Sequence, residues 1–239
     1  MIEIKNISKT YNKTFVAVDD ISMEISSGSI VGFIGPNGAG KTTTLNMITG
    51  ILEQDSGTIK INGFDTLENP TEAKKEFGFV SDSPNSFLSL KGIEYLNFIA
   101  DVYGIDKETR NKRIKHYSKE LALEDALGDK ISSYSHGMRQ KIMVIGTLIH
   151  DPNVLILDEP LTGLDPQSSF VLKEIMKDRA KDGKAVLFST HVLEVAEKLC
   201  DQIVIISHGH ILFTGTLHDL KSKYEDLSLE EIFLEVTKK

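Results

Sequence analysis

Residues 35–42 of this 239-residue chain, with the sequence G-P-N-G-A-G-K-T, have the side chains and backbone freedom needed to enclose a polyphosphate. The glycines let backbone N–H groups approach phosphate oxygens closely and adopt angles that other residues disfavour. A helix predicted to start near Gly40 adds its positive end. Lys41 is expected to reach the β- and γ-phosphates, and the Thr42 hydroxyl to bind Mg²⁺. This segment alone predicts a site for ATP or GTP with magnesium.

Two acidic residues follow a second apolar segment, at residues 154–157. An uninterrupted apolar run of this length is typical of a strand buried on both faces. Asp158, at its end, is predicted to bind the magnesium ion through water. Glu159 comes next, where the chain turns at Pro160, and can polarise the water that attacks the γ-phosphate. Taken by itself, Glu159 has the alternative of being an ordinary surface acid.

The surrounding sequence predicts the elements that position these residues. Strand-like residues dominate the first thirty positions, and a short apolar strand at 29–34 precedes the phosphate-binding segment. Apolar strands are also predicted at 154–157, 185–189 and 203–206, with helices near 168–180 and 192–200 between them. This alternation favours an α/β fold with a parallel sheet and helices on its faces.

The middle of the chain is predicted to be helical. From about residue 89 to residue 150 the apolar residues recur at helix spacing, and Ser89 is expected to cap the first helix. A helix-rich block inside an α/β chain indicates an inserted subdomain. The predicted organisation is one domain spanning 1–239, in which 1–88 and 151–239 form the core and 89–150 the insertion.

Composition excludes several classes of function. The net charge of −8 argues against nucleic-acid binding, which normally requires a basic face. Cys200 is the single cysteine, so no internal disulfide can form and a reducing cytoplasm is expected. The longest apolar runs are far too short to span a membrane. If the protein works at a membrane, another chain must supply the anchor.

Three further motifs complete a pattern, in the expected order, over nearly the whole chain. Residues 134–138 have the sequence Y-S-H-G-M, residues 163–165 have G-L-D, and residues 189–191 have S-T-H. Together with the phosphate-binding loop, these motifs resemble the ATP-binding cassette of ABC transporters. They correspond to that family's signature, usually written L-S-G-G-Q, to its D-loop and to its switch histidine. The resemblance implies a P-loop NTPase (RecA-like) core, an N-terminal antiparallel β subdomain and an inserted α-helical subdomain.

The resemblance also implies roles for individual residues. Tyr11 stands where the family has an aromatic side chain that stacks on adenine, an interaction worth roughly 1–3 kcal/mol per base in nucleic-acid complexes. Ser135 and Gly137 would bind the γ-phosphate of an ATP held by the opposite subunit, and His191 would sense the same phosphate. The implied nucleotide contacts are Tyr11, Gly35, Pro36, Asn37, Gly38, Ala39, Gly40, Lys41, Thr42, Thr43, Ser135 and Gly137. The implied catalytic residues are Lys41, Glu159 and His191, and the implied magnesium ligands are Thr42, Asp158 and Asp82.

The chain departs from the family pattern at the signature and at residue 82. Asp82 replaces the glutamine that usually contacts Mg²⁺ and links the site to a membrane partner. His136 and Met138 replace a glycine and the glutamine of the signature. This variant, together with the tail at 229–234, resembles exporter cassettes of the drug- and antibiotic-resistance type.

The leading hypothesis is an ATPase subunit that powers a membrane exporter. ATP and Mg²⁺ are the expected cofactors, and a separate transmembrane permease is the expected partner at the inner face of the cell membrane. Two cassettes, either a homodimer or a non-identical pair, would enclose two ATPs. An importer cassette and a soluble ABC ATPase without a transporter are the alternatives. The transported substrate is not encoded in this chain, because the family's specificity resides in the permease.

Overall fold

The computed structural model describes residues 1–224 and 227–237. The strands are β1 (Ile2–Tyr11), β2 (Phe15–Ile25), β3 (Ile30–Ile34), β4 (Ser56–Ile61), β5 (Phe64–Asp65), β6 (Phe77–Val80), β7 (Val154–Leu157), β8 (Ala185–Thr190), β9 (Gln202–Ser207) and β10 (His210–Gly215). The helices are α1 (Lys41–Ile48), α2 (Pro70–Glu76), α3 (Gly92–Val102), α4 (Lys107–Glu120), α5 (His136–Ile149), α6 (Pro166–Lys181), α7 (Leu193–Leu199), α8 (Leu217–Lys223) and α9 (Leu229–Thr237). No helix within the described ranges combines the length and apolar character needed to cross a bilayer.

A six-stranded sheet forms the centre of the molecule, in the order β10-β9-β3-β8-β7-β6. Its strands are parallel except for β10, which runs antiparallel at one edge. Every residue of β3, β7 and β8 is buried, which explains their uninterrupted apolar sequences. Because parallel strands end at the same edge, the segments that follow β3, β7 and β8 meet there.

A second sheet is antiparallel and has the order β2-β1-β4-β5. Its inner face shares one apolar cluster with β3 and α1, including Ile2, Ile7, Phe33 and Leu45. The mixed α/β architecture with two sheets confirms the predicted fold class. Strand β6 and helix α2 were not predicted, and several predicted helix ends differ from the observed ends by one to three residues.

Helices α3, α4 and α5 pack against one another and share one apolar cluster with β7. From Gln140 onwards every residue of α5 except its C-cap is buried, and α3 and α4 cover it. This apolar cluster extends without interruption into β7 and β8 through Leu155, Leu157 and Phe188. The division of the chain into a core and an insertion at 89–150 therefore stays a prediction.

The expected cap at Ser89 is wrong. Helix α3 begins at Gly92 with Lys91 as its N-cap, and the backbone N–H of Lys91 donates to Glu94 Oε2 at 2.9 Å. Residues 88–90 instead pair with a distant segment. The carbonyls of Leu88 and Leu90 accept hydrogen bonds from the N–H groups of residues 132 and 131, at 3.0 and 2.9 Å.

Close packing at Gly32 fixes the position of β3 against α7. A Cβ atom on Gly32 would lie 2.6 Å from Cys200 Sγ, nearer than real side chains approach. Glycine is therefore required for the thiol to rest on the strand. Burial raises the pKa of the Cys200 thiol to about 12.

Candidate active site

The phosphate-binding loop joins β3 to α1 and forms one wall of a cavity of about 240 Å³, called here the nucleotide cavity. Gly38 and Gly40 have φ angles of 79° and 108°, which glycine adopts without strain. A Cβ on Gly40 would also lie 2.7 Å from the Ala17 carbonyl oxygen, so the loop packs directly on β2. The residues that line the nucleotide cavity are Phe15, Ala17, Asn37, Gly38, Ala39, Gly40, Lys41, Thr42, Thr43, Asp82 and Glu159.

Lys41 is buried at the start of α1. Its Nζ atom donates to the carbonyl oxygens of Gly35 and Pro36 at 2.6 and 3.1 Å, and lies 3.8 Å from Glu159 Oε1. Burial lowers the pKa of Lys41, while the nearby carboxylates of Glu159 and Asp158 oppose that shift. The amine thus lies at the cavity wall, between loop carbonyls and an acid.

Asp158 is fully buried beneath the loop, where β7 ends. Its Oδ2 atom accepts a hydrogen bond from Thr42 Oγ1 at 2.8 Å, and its Oδ1 atom accepts one from Ser189 Oγ. Burial raises the pKa of Asp158, with further contributions from the charges of Asp82 and Glu159, whereas the two hydroxyl donors lower it. The side chain is thus oriented by hydroxyl groups while excess negative charge surrounds it.

Glu159 adopts a backbone conformation that is rare for its residue type. Its φ angle is 46°, and its N–H donates to Ser189 Oγ at 2.9 Å. Both of its carboxylate oxygens lie 3.0 Å from Nδ1 of His191, the residue after β8. Residues in sparsely populated backbone regions concentrate at functional sites, because the surrounding structure must hold them there. Glu159 is thus aimed into the cavity between His191 and Lys41.

The aromatic residues near the cavity differ from the expectation. Phe15, which is 60% exposed, lines the cavity, whereas Tyr11 is not among its lining residues in the described chain. The two residues pair across the β1–β2 hairpin, so their side chains lie on one face of the sheet. Phe15 and Ala17 also share a face, because alternate residues of a strand do. Sequence reasoning missed Phe15.

The signature segment (residues 134–138) lies outside the nucleotide cavity. Ser135 is exposed and caps α5, since its Oγ atom accepts a hydrogen bond from the N–H of Met138 at 3.2 Å. The exposed end of a helix attracts anions. Ser135 and Gly137 are therefore separated, in this chain, from the loop that would hold its own phosphates.

The D-loop (residues 163–165) packs against the signature segment. A Cβ on Gly163 would lie 2.6 Å from the imidazole ring of His136, and one on Gly137 would lie 2.5 Å from the carbonyl oxygen of Gly163. Lys141 of α5 forms an ion pair at 2.8 Å with Asp165, the N-cap of α6. Hydrogen bonds from Lys141 and from the start of α6 strongly lower the pKa of Asp165. His136, the unusual signature residue, thus contacts the D-loop of its own chain.

The arrangement fits a hard divalent cation. Thr42, Asp158 and Asp82 supply only oxygen donors, the type that Mg²⁺ prefers. The pKa of Asp158 is raised by burial and by two neighbouring carboxylates, and a bound cation would relieve that repulsion. In the described chain no cluster of three or more His, Cys, Asp or Glu side chains forms a metal cage. The donors therefore suit an ion shared with phosphate oxygens rather than one enclosed by protein.

Known proteins with the same organisation place the chain in a family. A model described as "ABC transporter" matches residues 18–162. The ABC transporter ATP-binding protein NatA of Bacillus subtilis is 34% identical over 98% of this chain and 97% of its own length. The linearmycin resistance ATP-binding protein LnrL of the same species is 36% identical over 93% of this chain and 71% of its own length.

A solved structure agrees with both sequence matches. The ATP-binding cassette MJ0796, as a dimer bound to ADP and Pi in a post-hydrolysis state, superposes with a TM-score of 0.81 at 25% identity. The superposition covers 91% of this chain and 99% of that one. The chain belongs to the ABC transporter ATP-binding family, whose members are ATPases.

Proposed function

We propose that this chain is the ATP-hydrolysing subunit of a membrane exporter and that it works as one half of a pair enclosing two ATPs. The observation that carries the proposal is the separation of two surfaces. One holds the phosphate-binding loop with Glu159, and the other presents Ser135 and Gly137 at an exposed helix end. A head-to-tail pair would bring each surface against its complement.

The groups that form the cavity wall would bind the phosphates of ATP. The N–H groups of the loop surround the β- and γ-phosphates, and Lys41 moves from the loop carbonyls to phosphate oxygens. The adenine ring stacks on the face of β2 that bears Phe15, with Tyr11 beside it. Stacking without hydrogen bonds to the base edge gives affinity but little discrimination between purines.

Mg²⁺ would be held by Thr42, Asp158 and Asp82, and it would neutralise charge that develops on the phosphate oxygens. Asp158 keeps its orientation through Thr42 and Ser189, which prevents its carboxylate from turning toward Lys41. The Asp82 side chain is one methylene shorter than the glutamine usual in the family. The loop that carries Asp82 must therefore lie close to the phosphates for the carboxylate to reach the ion.

Hydrolysis requires a base beside the γ-phosphate. Glu159 accepts a proton from water as the water oxygen bonds to the γ-phosphorus and the bond to the bridging oxygen of ADP breaks. The products are ADP and phosphate, with the proton on Glu159. His191 positions the carboxylate by contacting both of its oxygens, and the strained backbone of Glu159 keeps it aimed into the cavity.

The permease would dock on an apolar groove of about 250 Å³ on another side of the molecule. Its walls come from β6, from helices α3 and α5 and from the segment after α1, and they include Ile51, Tyr95, Ile99 and Tyr103. Beside it Phe87 packs on Phe98 at a ring-centroid distance of 5.7 Å, and both rings remain over 40% exposed. Exposed apolar surface of this kind marks a binding face. Docking there would hold the chain at the inner face of the cell membrane.

Export is favoured over import by two observations. LnrL is described as a linearmycin resistance protein, and it matches 93% of this chain. The sequence Y-S-H-G-M and the tail at 229–234 also resemble resistance-type cassettes, whereas importers more often keep the unmodified signature and the glutamine at the position of Asp82. An importer cassette and a soluble ABC ATPase remain the competing functions.

The test is isolation of the tagged full-length chain from detergent-solubilised membranes, followed by reconstitution with the captured partner in lipid vesicles. We expect a multi-spanning membrane protein in equal amount, and ATP-dependent movement of a substrate away from the cassette side. A Glu159→Gln version should capture the same partner without transport. Movement toward the cassette side would make the protein an importer, and capture of ribosomal particles instead would overturn the transport role.

A further inference from the structure

The loop at residues 81–90, called here the Asp82 loop, is bonded to the segment that leads into the signature. Backbone hydrogen bonds join the carbonyls of Leu88 and Leu90 to the N–H groups of residues 132 and 131. Asp82, at one end of the loop, lines the nucleotide cavity. Ser135, just beyond the second segment, caps α5 and is not among the residues that line that cavity. The two phosphate-facing surfaces are thus joined within one chain.

Arg139 makes this connection through its side chain. Its Nη1 atom donates to Asn85 Oδ1 at 2.9 Å, Nη2 donates to the carbonyl of Ser132 at 2.9 Å, and Nε donates to the carbonyl of Ile131 at 3.3 Å. The planar guanidinium therefore bonds both segments at once, whereas a lysine carries all its donors on one nitrogen and lacks the planar fork that spans them. The backbone N–H of Arg139 also donates to the carbonyl of Ser135 in the first turn of α5.

The position of Arg139 is unfavourable for the helix itself. A cation near a helix N-terminus opposes the helix dipole, so this side chain weakens rather than stabilises α5 by its charge. Helix α5 is instead held by its buried residues from Ile142 to the C-terminal end. Asn85 is exposed and lies outside the apolar core. The contact between Asn85 and Arg139 therefore joins two segments at the protein surface rather than in the apolar core.

We propose that Asn85 and Arg139 are a positioning pair that sets the orientation of the signature segment according to the position of the Asp82 loop. A displacement of Asp82 by the phosphates in its own cavity passes to Asn85, three residues later, and through Arg139 to the first turn of α5. Ser135 and Gly137 then face the ATP of the second cassette in the correct orientation. This inference rests on the proposed pairing of two cassettes.

The experiment measures ATP binding and ATP-driven pairing separately, in full-length chains that carry Glu159→Gln to slow hydrolysis. Binding is measured by calorimetry on dilute chains, and pairing by sedimentation over a concentration series. We expect Asn85→Ala and Arg139→Lys each to weaken pairing roughly tenfold, the effect of one lost hydrogen bond to a charged group. The double variant should be no weaker than the weaker single variant. ATP affinity of the dilute chain should change by less than about twofold.

Two matched variants complete the design. Asn85→Asp keeps an acceptor for Arg139 and should pair like the parent, whereas Ser86→Ala removes an adjacent exposed side chain and should have no effect. Losses that add in the double variant, or a fall in unfolding free energy that matches the loss of pairing, would overturn the inference. If the parent pairs in the presence of ATP and the variants pair equally well, this inference alone would be overturned. A parent that binds ATP without pairing would overturn the proposed sandwich as well.

Discussion

The nucleotide cavity and the N-terminal end of α5 both present groups suited to phosphate, yet they are built in opposite ways. In the cavity, Lys41 and Asp158 are buried, and each is held by hydrogen bonds from its own chain. At the helix end, Ser135 is exposed, and among the described residues its hydroxyl accepts a hydrogen bond from the turn that it caps. Groups that hold the phosphates and the metal ion within one chain can be oriented and desolvated in advance, whereas a group that recognises a second molecule must remain accessible.

The largest effect is expected from Glu159→Gln, because it removes the base while keeping the shape of the side chain. We expect turnover to fall by roughly 10²–10⁴-fold, the usual contribution of a general base. ATP affinity, measured by calorimetry, should be retained. The control is Glu194→Gln, which neutralises an exposed acid on α7. Near-normal phosphate release by the Glu159 variant would contradict the assignment of the base to the cavity.

At the other surface, Ser135→Ala should show that the N-terminal end of α5 and the nucleotide cavity have different roles. We expect a roughly 10- to 100-fold loss of turnover, from one missing hydrogen bond to a charged phosphate. The unfolding free energy should fall by only about 1 kcal/mol, the value of an N-cap. ATP affinity of the dilute chain should be unchanged, because Ser135 lies outside its cavity. Ser133→Ala is the control, and a matching loss of ATP affinity for Ser135→Ala would show that the regions are not distinct.

A smaller effect, on binding, should distinguish the two aromatic residues of the β1–β2 hairpin. We expect Phe15→Ala to weaken ATP binding roughly five- to tenfold, the lower part of the range for base stacking, since the ring is half exposed. Tyr11→Ala should weaken it less, because Tyr11 is not among the residues that line the cavity. Affinity for inorganic tripolyphosphate should be equal in both variants and the parent. A larger loss for Tyr11→Ala would restore the assignment implied by the family pattern.

The last effect concerns stability rather than turnover or binding, at the C-terminal end of α5, where His150 is largely buried. Burial lowers the pKa of His150 from 6.5 to about 4. Between these values the unfolded chain binds a proton that the folded chain does not, so this residue destabilises the fold as the pH falls. The expected loss is about 2–3 kcal/mol.

Denaturant unfolding at about pH 7 and about pH 4.5 would measure this contribution. His150→Gln should flatten the dependence of stability on pH, and the exposed His116→Gln should leave it unchanged. Turnover of the isolated chain at neutral pH should be the same in all three proteins, since His150 is not among the residues that line the nucleotide cavity. Equal pH dependence in the parent and the His150 variant would show that burial does not suppress protonation of this imidazole.

Local sequence patterns predicted the cavity far better than the connections around it. The phosphate-binding loop, Asp158 and Glu159 were found because each follows an apolar strand directly along the chain. Phe15 was missed because bulges in β1 shift the pairing with β2, and no local pattern reports that register. The Ser89 cap was wrong because residues 88–90 bond to residues 131–132, far along the chain. The contact between Asn85 and Arg139 was not predicted for the same reason, because the two residues lie far apart along the chain.

The contact of Gly32 with Cys200 has a practical consequence for studying these movements. A thiol with a pKa of about 12 is almost entirely protonated at neutral pH, with a thiolate fraction on the order of 10⁻⁴ or less. Because the thiolate is the reactive form, the one native cysteine should resist maleimide and methanethiosulfonate reagents. Spin labels or fluorophores could therefore be attached at cysteines introduced on the Asp82 loop and on α5, without first removing the residue that lies against β3.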